Sequence, residues 1–148
     1  MQILTISDEV VPAIYSLNIK QRFPDVGMIL SCGDLPYYYI EFVVTMLGVP
    51  CFYIHGNHDT PEIREDGRLV EEAHGAVCLE GRGVRHEGLS IAGLGGCLRY
   101  KPDGTNMYTD AEMMRRAWRP VPWMLFNNYP YGSYLDILIT HAPPLGIH

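Results

Sequence analysis

Three short β-rich apolar runs, Gln2 to Ser7, Val26 to Ser31 and Val49 to His55, open the chain and are separated by stretches of helical length. Val11 to Arg22 reads as a helix ended by Phe23-Pro24, and Tyr37 to Leu47 as a helix that follows Leu35-Pro36. Strands joined through a helix are typically crossover-connected and parallel. The amino-terminal part is therefore expected to be a parallel sheet of βαβ units.

The pattern shortens after Pro61. Ala76 to Leu79, Val84 to Glu87 and Leu89 to Leu94 are separated by Gly81, Gly83 and Gly88, as in antiparallel strands joined by tight turns. A second sheet is expected there. Thr109-Asp110 can cap a helix running to about Ala117, which Pro120 and Pro122 interrupt, and Leu135 to Thr140 reads as a last strand. No repeat or flexible linker divides the 148 residues, so a single α/β domain is expected over 1–148.

Composition narrows the function classes. With 47% hydrophobic residues the chain can fold around a core without disulfides. Cys32, Cys51, Cys78 and Cys97 are widely spaced with no CxxC pair, and read as reduced core thiols and not as a metal or redox site. The start MQILTIS has no basic leader and no apolar run reaches membrane-span length, so a soluble, cytoplasmic protein without membrane contact is expected. A formal net charge of −6 disfavours nonspecific nucleic-acid binding. A small phosphate ester remains compatible, since bound cations reverse the local field.

The polar residues gather at strand ends. Asp8 follows the first run, Gly33-Asp34 the second, Gly56-Asn57-His58-Asp59 the third, and Thr140-His141 the last. Ligands in open α/β sheets collect beyond the carboxyl ends of strands, so four separate strand ends can deliver these side chains to one crevice. Singly, each has a structural reading: Asp8 and Gly33-Asp34 as turn residues, His141 as a core histidine, Asn57 to Asp59 as a polar loop. Oxygen and imidazole donors suit Mn, Fe or Zn better than a thiolate-rich site would, with Asp34 the candidate to bridge two ions and Asn57 offering a neutral amide oxygen.

The order Ser7-Asp8, Gly33-Asp34, Gly56-Asn57-His58-Asp59 and Thr140-His141 resembles the calcineurin-like metallophosphoesterases. The resemblance implies an α/β/β/α sandwich of two packed sheets, two divalent cations (Mn, Fe or Zn) and hydrolysis of phosphomonoesters or phosphodiesters by a hydroxide shared between the metals. It assigns Asp8 to the first metal, Asp34 to both, and Asn57 and His141 to the second. His58 would protonate the leaving alkoxide, oriented by Asp59, and a small phosphate ester would be the substrate.

Two departures qualify that likeness. The family's first motif continues Asp-x-His, whereas here Asp8-Glu9-Val10 ends on a residue with no donor, so Glu9 substitutes only if the backbone leaves strand geometry after Asp8. The family also continues to a GHxH segment, which His148 does not match. The domain is accordingly expected to be truncated at its carboxyl end, with a weakened first metal site and a tendency to self-associate. The alternative is a non-catalytic scaffold or inactive fragment, using Tyr37-Tyr38-Tyr39 and the aromatics Trp118, Trp123, Phe126, Tyr129, Tyr131 and Tyr134 as a binding surface, against which stands their use as core or lid. A nucleotide-binding Rossmann domain is disfavoured because no GxGxxG follows the first strand.

Overall fold

A computed structural model describes residues 1–143, with the side chains of all but residues 128–130. His148 and the Tyr129 side chain lie outside the described residues. The elements follow in the order β1 (Gln2–Ile6), α1 (Ile19–Arg22), β2 (Val26–Ser31), α2 (Tyr37–Leu47), β3 (Cys51–Tyr53), β4 (Glu62–Ile63), β5 (Leu69–Val70) and β6 (Val77–Cys78). Then come β7 (Gly83–His86), β8 (Leu89–Leu94), β9 (Cys97–Leu98), β10 (Met107–Tyr108), α3 (Asp110–Ala117), α4 (Val121–Tyr131) and β11 (Ile137–Thr140). The chain is mixed α/β. Among the described residues no helix is long and apolar enough to cross a membrane.

β1, β2, β3 and β6 form a parallel sheet in that order. β8 is the middle of a second sheet, antiparallel to β7 and parallel to β11. β4 with β5, and β9 with β10, form two small ribbons. The β7–β8 turn has positive φ at both Glu87 (46°) and Gly88 (85°), the tight hairpin geometry that matches strand twist.

The alternation of side chains along β2 and β3 assigns each strand to two cores. Met28, Leu30, Phe52 and Ile54 point to one face and meet Leu79, Ile91 and Ile139, so the two sheets pack on each other through this cluster. Ile6, Ile29, Cys51 and Tyr53 point the other way, onto Tyr39, Ile40, Val43 and Leu47 of α2. Each such aliphatic side chain removed from water contributes roughly 1.5–3 kcal/mol. On the outer face of the second sheet, Asn127 of α4 hydrogen-bonds Ser90 Oγ, and the Trp123 ring lies against Gly83.

Three sequence expectations are corrected. The segment expected as a helix over Val11 to Arg22 is helical only at Ile19–Arg22. Ser16 Oγ accepts from the Asn18 N–H at 3.3 Å, a local bond that competes with the helical ladder. The run Ala76 to Leu79 supplies β6 to the first, parallel sheet and not to the second. The helix expected from Thr109-Asp110 to about Ala117 is α3, capped by Thr109 and ended before Pro120; beyond that break Pro122 falls in the first turn of a further helix, α4, which was not expected, and in a first turn the missing N–H has no partner to lose. Four of the aromatic residues are neither core nor a closed lid, since Trp118 is 64% and Phe126 81% exposed and Tyr131 and Tyr134 are exposed as well, whereas Trp123 is half-buried against Gly83. In the tyrosine run only Tyr38 is exposed, Tyr37 and Tyr39 being buried.

All four cysteines are free. Only Cys51 is fully buried, the other three being half-buried, so they are core thiols only in part.

Candidate metal centre

The register of the first sheet aligns its exits. Ile6 lies opposite Ser31, and Ser31 opposite Tyr53, so the loops after β1, β2 and β3 leave from one edge. Thr140 ends β11 opposite Leu94 of β8 and brings His141 to the same edge from the second sheet. Pairing continues past the strands, with the Cys32 N–H on the Ile6 carbonyl at 2.9 Å and the Asp8 N–H on the Gly33 carbonyl at 3.2 Å. Asp8 (φ 62°) and Asp34 (φ 57°) both adopt the left-handed region, which few non-glycine residues enter and aspartate tolerates best. The turn re-aims each carboxylate away from the strand direction and into the crevice.

There the expected donors meet. Asp8, Asp34 and His141 each offer an atom within 4.8 Å of the others. Asp8 is exposed, whereas the side chains of Asp34 and His141 are only 11% and 10% exposed. His141 Nε2 lies 3.0 Å from Asn57 Oδ1 and 3.5 Å from Asp34 Oδ2. All four side chains named as ligands from the sequence are thus brought together. Val10 packs against the α2-side core, and Glu9 is exposed and outside the cluster, even though the backbone does leave strand geometry at Asp8.

The hydrogen bond at His141 Nδ1 bears on what this cluster could hold. Its Nδ1 lies 2.9 Å from the Cys32 carbonyl oxygen, which can only accept, so Nδ1 carries the proton. In the neutral ring Nε2 then presents a lone pair to two further oxygen acceptors. Three electron-pair donors facing one another call for a cation or a second ring proton between them. A ligating histidine fixed through its other nitrogen by a main-chain carbonyl is the usual support for such a cation. Two carboxylates, an amide oxygen and an imidazole suit a hard or borderline divalent ion.

The third-strand loop is held by Asp59. Its Oδ2 accepts from the Gly56 N–H at 2.7 Å and the Asp34 N–H at 3.1 Å, while Asp34 Oδ1 accepts from the His58 N–H at 2.8 Å. Asp59 therefore shapes the backbone around the cluster and does not orient the His58 ring, as had been expected. Burial raises the Asp59 pKa, assisted by the Asp34 charge and opposed by the two N–H groups. The thiols of Cys32 and Cys97 are likewise raised, first by burial and then by Asp8 and Asp34 respectively. Space around the loop is tight: a Cβ on Gly56 would stand 2.0 Å from Asp34 Oδ1, and one on Gly33 2.4 Å from the Gly56 nitrogen. Gly33 also has φ 95°, so it is glycine on both counts.

His58 is exposed and lines a cleft of about 260 Å³ with Asp34, Tyr37, Asp59, Thr60 and Glu62. Burial, with the charges of Asp59 and Glu62, pushes the Tyr37 hydroxyl up to about 12, so it remains protonated. The Tyr37 N–H at the start of α2 donates to the Glu62 carboxylate at 2.7 Å.

Two residues of the loop's surroundings were not foreseen. The Asn57 amide donates to the Tyr100 hydroxyl at 3.1 Å, and Asn106 Nδ2 donates to the Gly56 carbonyl at 2.9 Å. Both come from the stretch between Leu94 and Thr109, to which the sequence patterns assign no element. Comparison with protein-family models, curated proteins and solved structures finds no match.

Proposed function

We propose that the chain is a metal-dependent phosphoesterase with the α/β/β/α arrangement of the calcineurin-like metallophosphoesterases, acting on a small phosphomonoester or phosphodiester. The single observation that carries the reading is the meeting of Asp8, Asp34, Asn57 and His141 from four strand ends at one point. Two sheets packed through Met28, Leu30, Phe52 and Ile91 support the architecture. Divalent cations bound there would supply Lewis acidity and a water acidic enough to react at neutral pH. Asp34 would serve both ions, Asp8 one of them, and Asn57 and His141 the other.

The rest of the chemistry falls to residues of the chain. His58 stands beside Asp34 in the same cleft, in position to give a proton to the departing alkoxide oxygen. Asp59 keeps Gly56 and Asp34 in place without touching the ester. The cleft toward Tyr37 and Glu62 holds the alcohol portion.

Metal analysis of the purified chain, with hydrolysis of bis-p-nitrophenyl phosphate assayed with Mn²⁺ and after chelation, tests the reading. Bound metal, activity lost on chelation and both lost in Asp34→Asn are expected. A chain that binds no divalent ion and cleaves no ester would favour the second reading, a partner-binding scaffold. The exposed aromatics Trp118, Phe126, Tyr131 and Tyr134 are the observation behind that alternative.

A further inference from the structure

We propose that Tyr100 is a positioning residue that tethers the Asn57 amide beside Asp34 and His141, a role that rests on the metal-binding reading above. The segment from Gly96 to Tyr108 is clasped over the third-strand loop. Its Gly96 N–H donates to the His55 carbonyl at 2.8 Å, and Asn106 donates to the carbonyls of Gly56 at 2.9 Å and Asp59 at 3.4 Å. The segment is also closed on itself: the Cys97 N–H donates to the Asn106 carbonyl at 3.1 Å, the Arg99 N–H to the Tyr108 carbonyl at 2.9 Å, and the Arg99 guanidinium to the Met107 carbonyl. Tyr100 follows directly on this anchored stretch, and its hydroxyl lies 3.1 Å from the Asn57 amide nitrogen.

An asparagine amide is nearly symmetric in shape, and half a turn about its last bond exchanges a ligating oxygen for an NH₂ group that cannot ligate. A bare lone pair on His141 Nε2 favours the NH₂ group, whereas a bound cation favours the oxygen. A hydroxyl both donates and accepts, so a hydroxyl partner on the outer side tethers the amide in either orientation. With Asn57 Oδ1 inward, 3.0 Å from His141 Nε2, the NH₂ group finds that partner in the Tyr100 hydroxyl at 3.1 Å. Tyr100 is 59% exposed, so water replaces its hydroxyl in part, and the expected effect lies at the low end for residues that support a metal ligand.

Titration calorimetry with Mn²⁺ on the full chain tests the assignment. Tyr100→Phe should bind Mn²⁺ about tenfold more weakly than wild type while its metal-free melting temperature stays the same. In an Asn57→Ala background, already weakened, Tyr100→Phe should cause no further loss, because the amide it holds is gone. Equal Mn²⁺ affinity of wild type and Tyr100→Phe, or an equal loss in the Asn57→Ala background, would overturn the positioning role alone. A wild-type chain that does not bind Mn²⁺ would overturn the metal-binding reading and this role together.

Discussion

His141 is tied to Cys32 across the two sheets: its Nδ1 lies 2.9 Å from the Cys32 carbonyl oxygen, and its side chain is only 10% exposed. One imidazole therefore joins the two sheets and stands among the candidate ligands. His141→Ala should lose bound metal and also, in chelator, about 1–3 kcal/mol of unfolding free energy, because the Cys32 carbonyl loses its side-chain donor at a largely buried place. Chemical denaturation with and without EDTA separates the two effects. A variant whose only change appears in the presence of metal would show that the bond to Cys32 adds nothing to the fold.

His58→Ala should keep the metal and lose about 10²–10⁴-fold in turnover, the usual yield of a positioned proton donor. The backbone N–H that serves Asp34 is untouched by this change. With p-nitrophenyl esters, whose leaving group hardly needs a proton, the loss should be far smaller than with an alkyl ester. Joint loss of metal and activity would make His58 a ligand instead.

Gly56→Ala should be among the most damaging small substitutions in the chain. The added methyl carbon would stand 2.0 Å from Asp34 Oδ1 and 2.7 Å from the Asp34 nitrogen, so the candidate bridging carboxylate has to move. Metal content should fall at least as far as in Asp8→Asn, with a stability loss of about 1–3 kcal/mol from overpacking. Metal analysis and urea melts measure both, and wild-type values in each would mean the loop yields more easily than its packing implies.

Asp136 gives a pH dependence remote from the site. The Ser90 N–H, 2.7 Å away, is the main cause holding its carboxyl below the ordinary range, with help from the Ser133 hydroxyl. A carboxyl depressed in the folded state contributes fully above its unfolded pKa of about 3.9 and loses that contribution as pH falls through the folded value. Asp136→Asn should therefore show a smaller drop in denaturation midpoint between about pH 6 and about pH 3 than wild type does. An identical drop in both proteins would mean that Asp136 is not linked to folding.

Sequence legibility followed length and locality. The alternation of Val26–Ser31 and the glycine punctuation at Gly88 each specify their local geometry, and the structure has β2 and the β7–β8 hairpin where they were expected. Two-residue strands such as Val77–Cys78 carry no period, so their sheet is decided by what lies beside them, here Phe52 and Tyr53. The end of α3 before Pro120 was legible, but α4 beyond it was not, because whether a proline closes one helix or opens the next is not revealed by the residues before it. At the site, Asp8, Asp34, Asn57 and His141 were legible because each ends an apolar run. Tyr100 and Asn106 were not, since their contacts span 43 and 50 residues of sequence with no motif between. The exposure of Trp118 and Phe126 was equally hidden, because hydrophobicity argues for burial and only the fold decides which face is left over.

A short stretch after β6 belongs to both sheets at once. The Leu79 N–H donates to the Tyr53 carbonyl in the first sheet, and two residues later the Gly81 N–H donates to the Gly93 carbonyl in the second, with Glu80 bridged to Gly93 between them. Leu79 itself is buried in the core the sheets share. Neither sheet can open along this seam without pulling main-chain bonds from the other, so the pair should behave as one cooperative unit and not as two that melt in turn. Slow amide protons in β3 and β8 should then exchange at a common rate, set by opening of the whole domain.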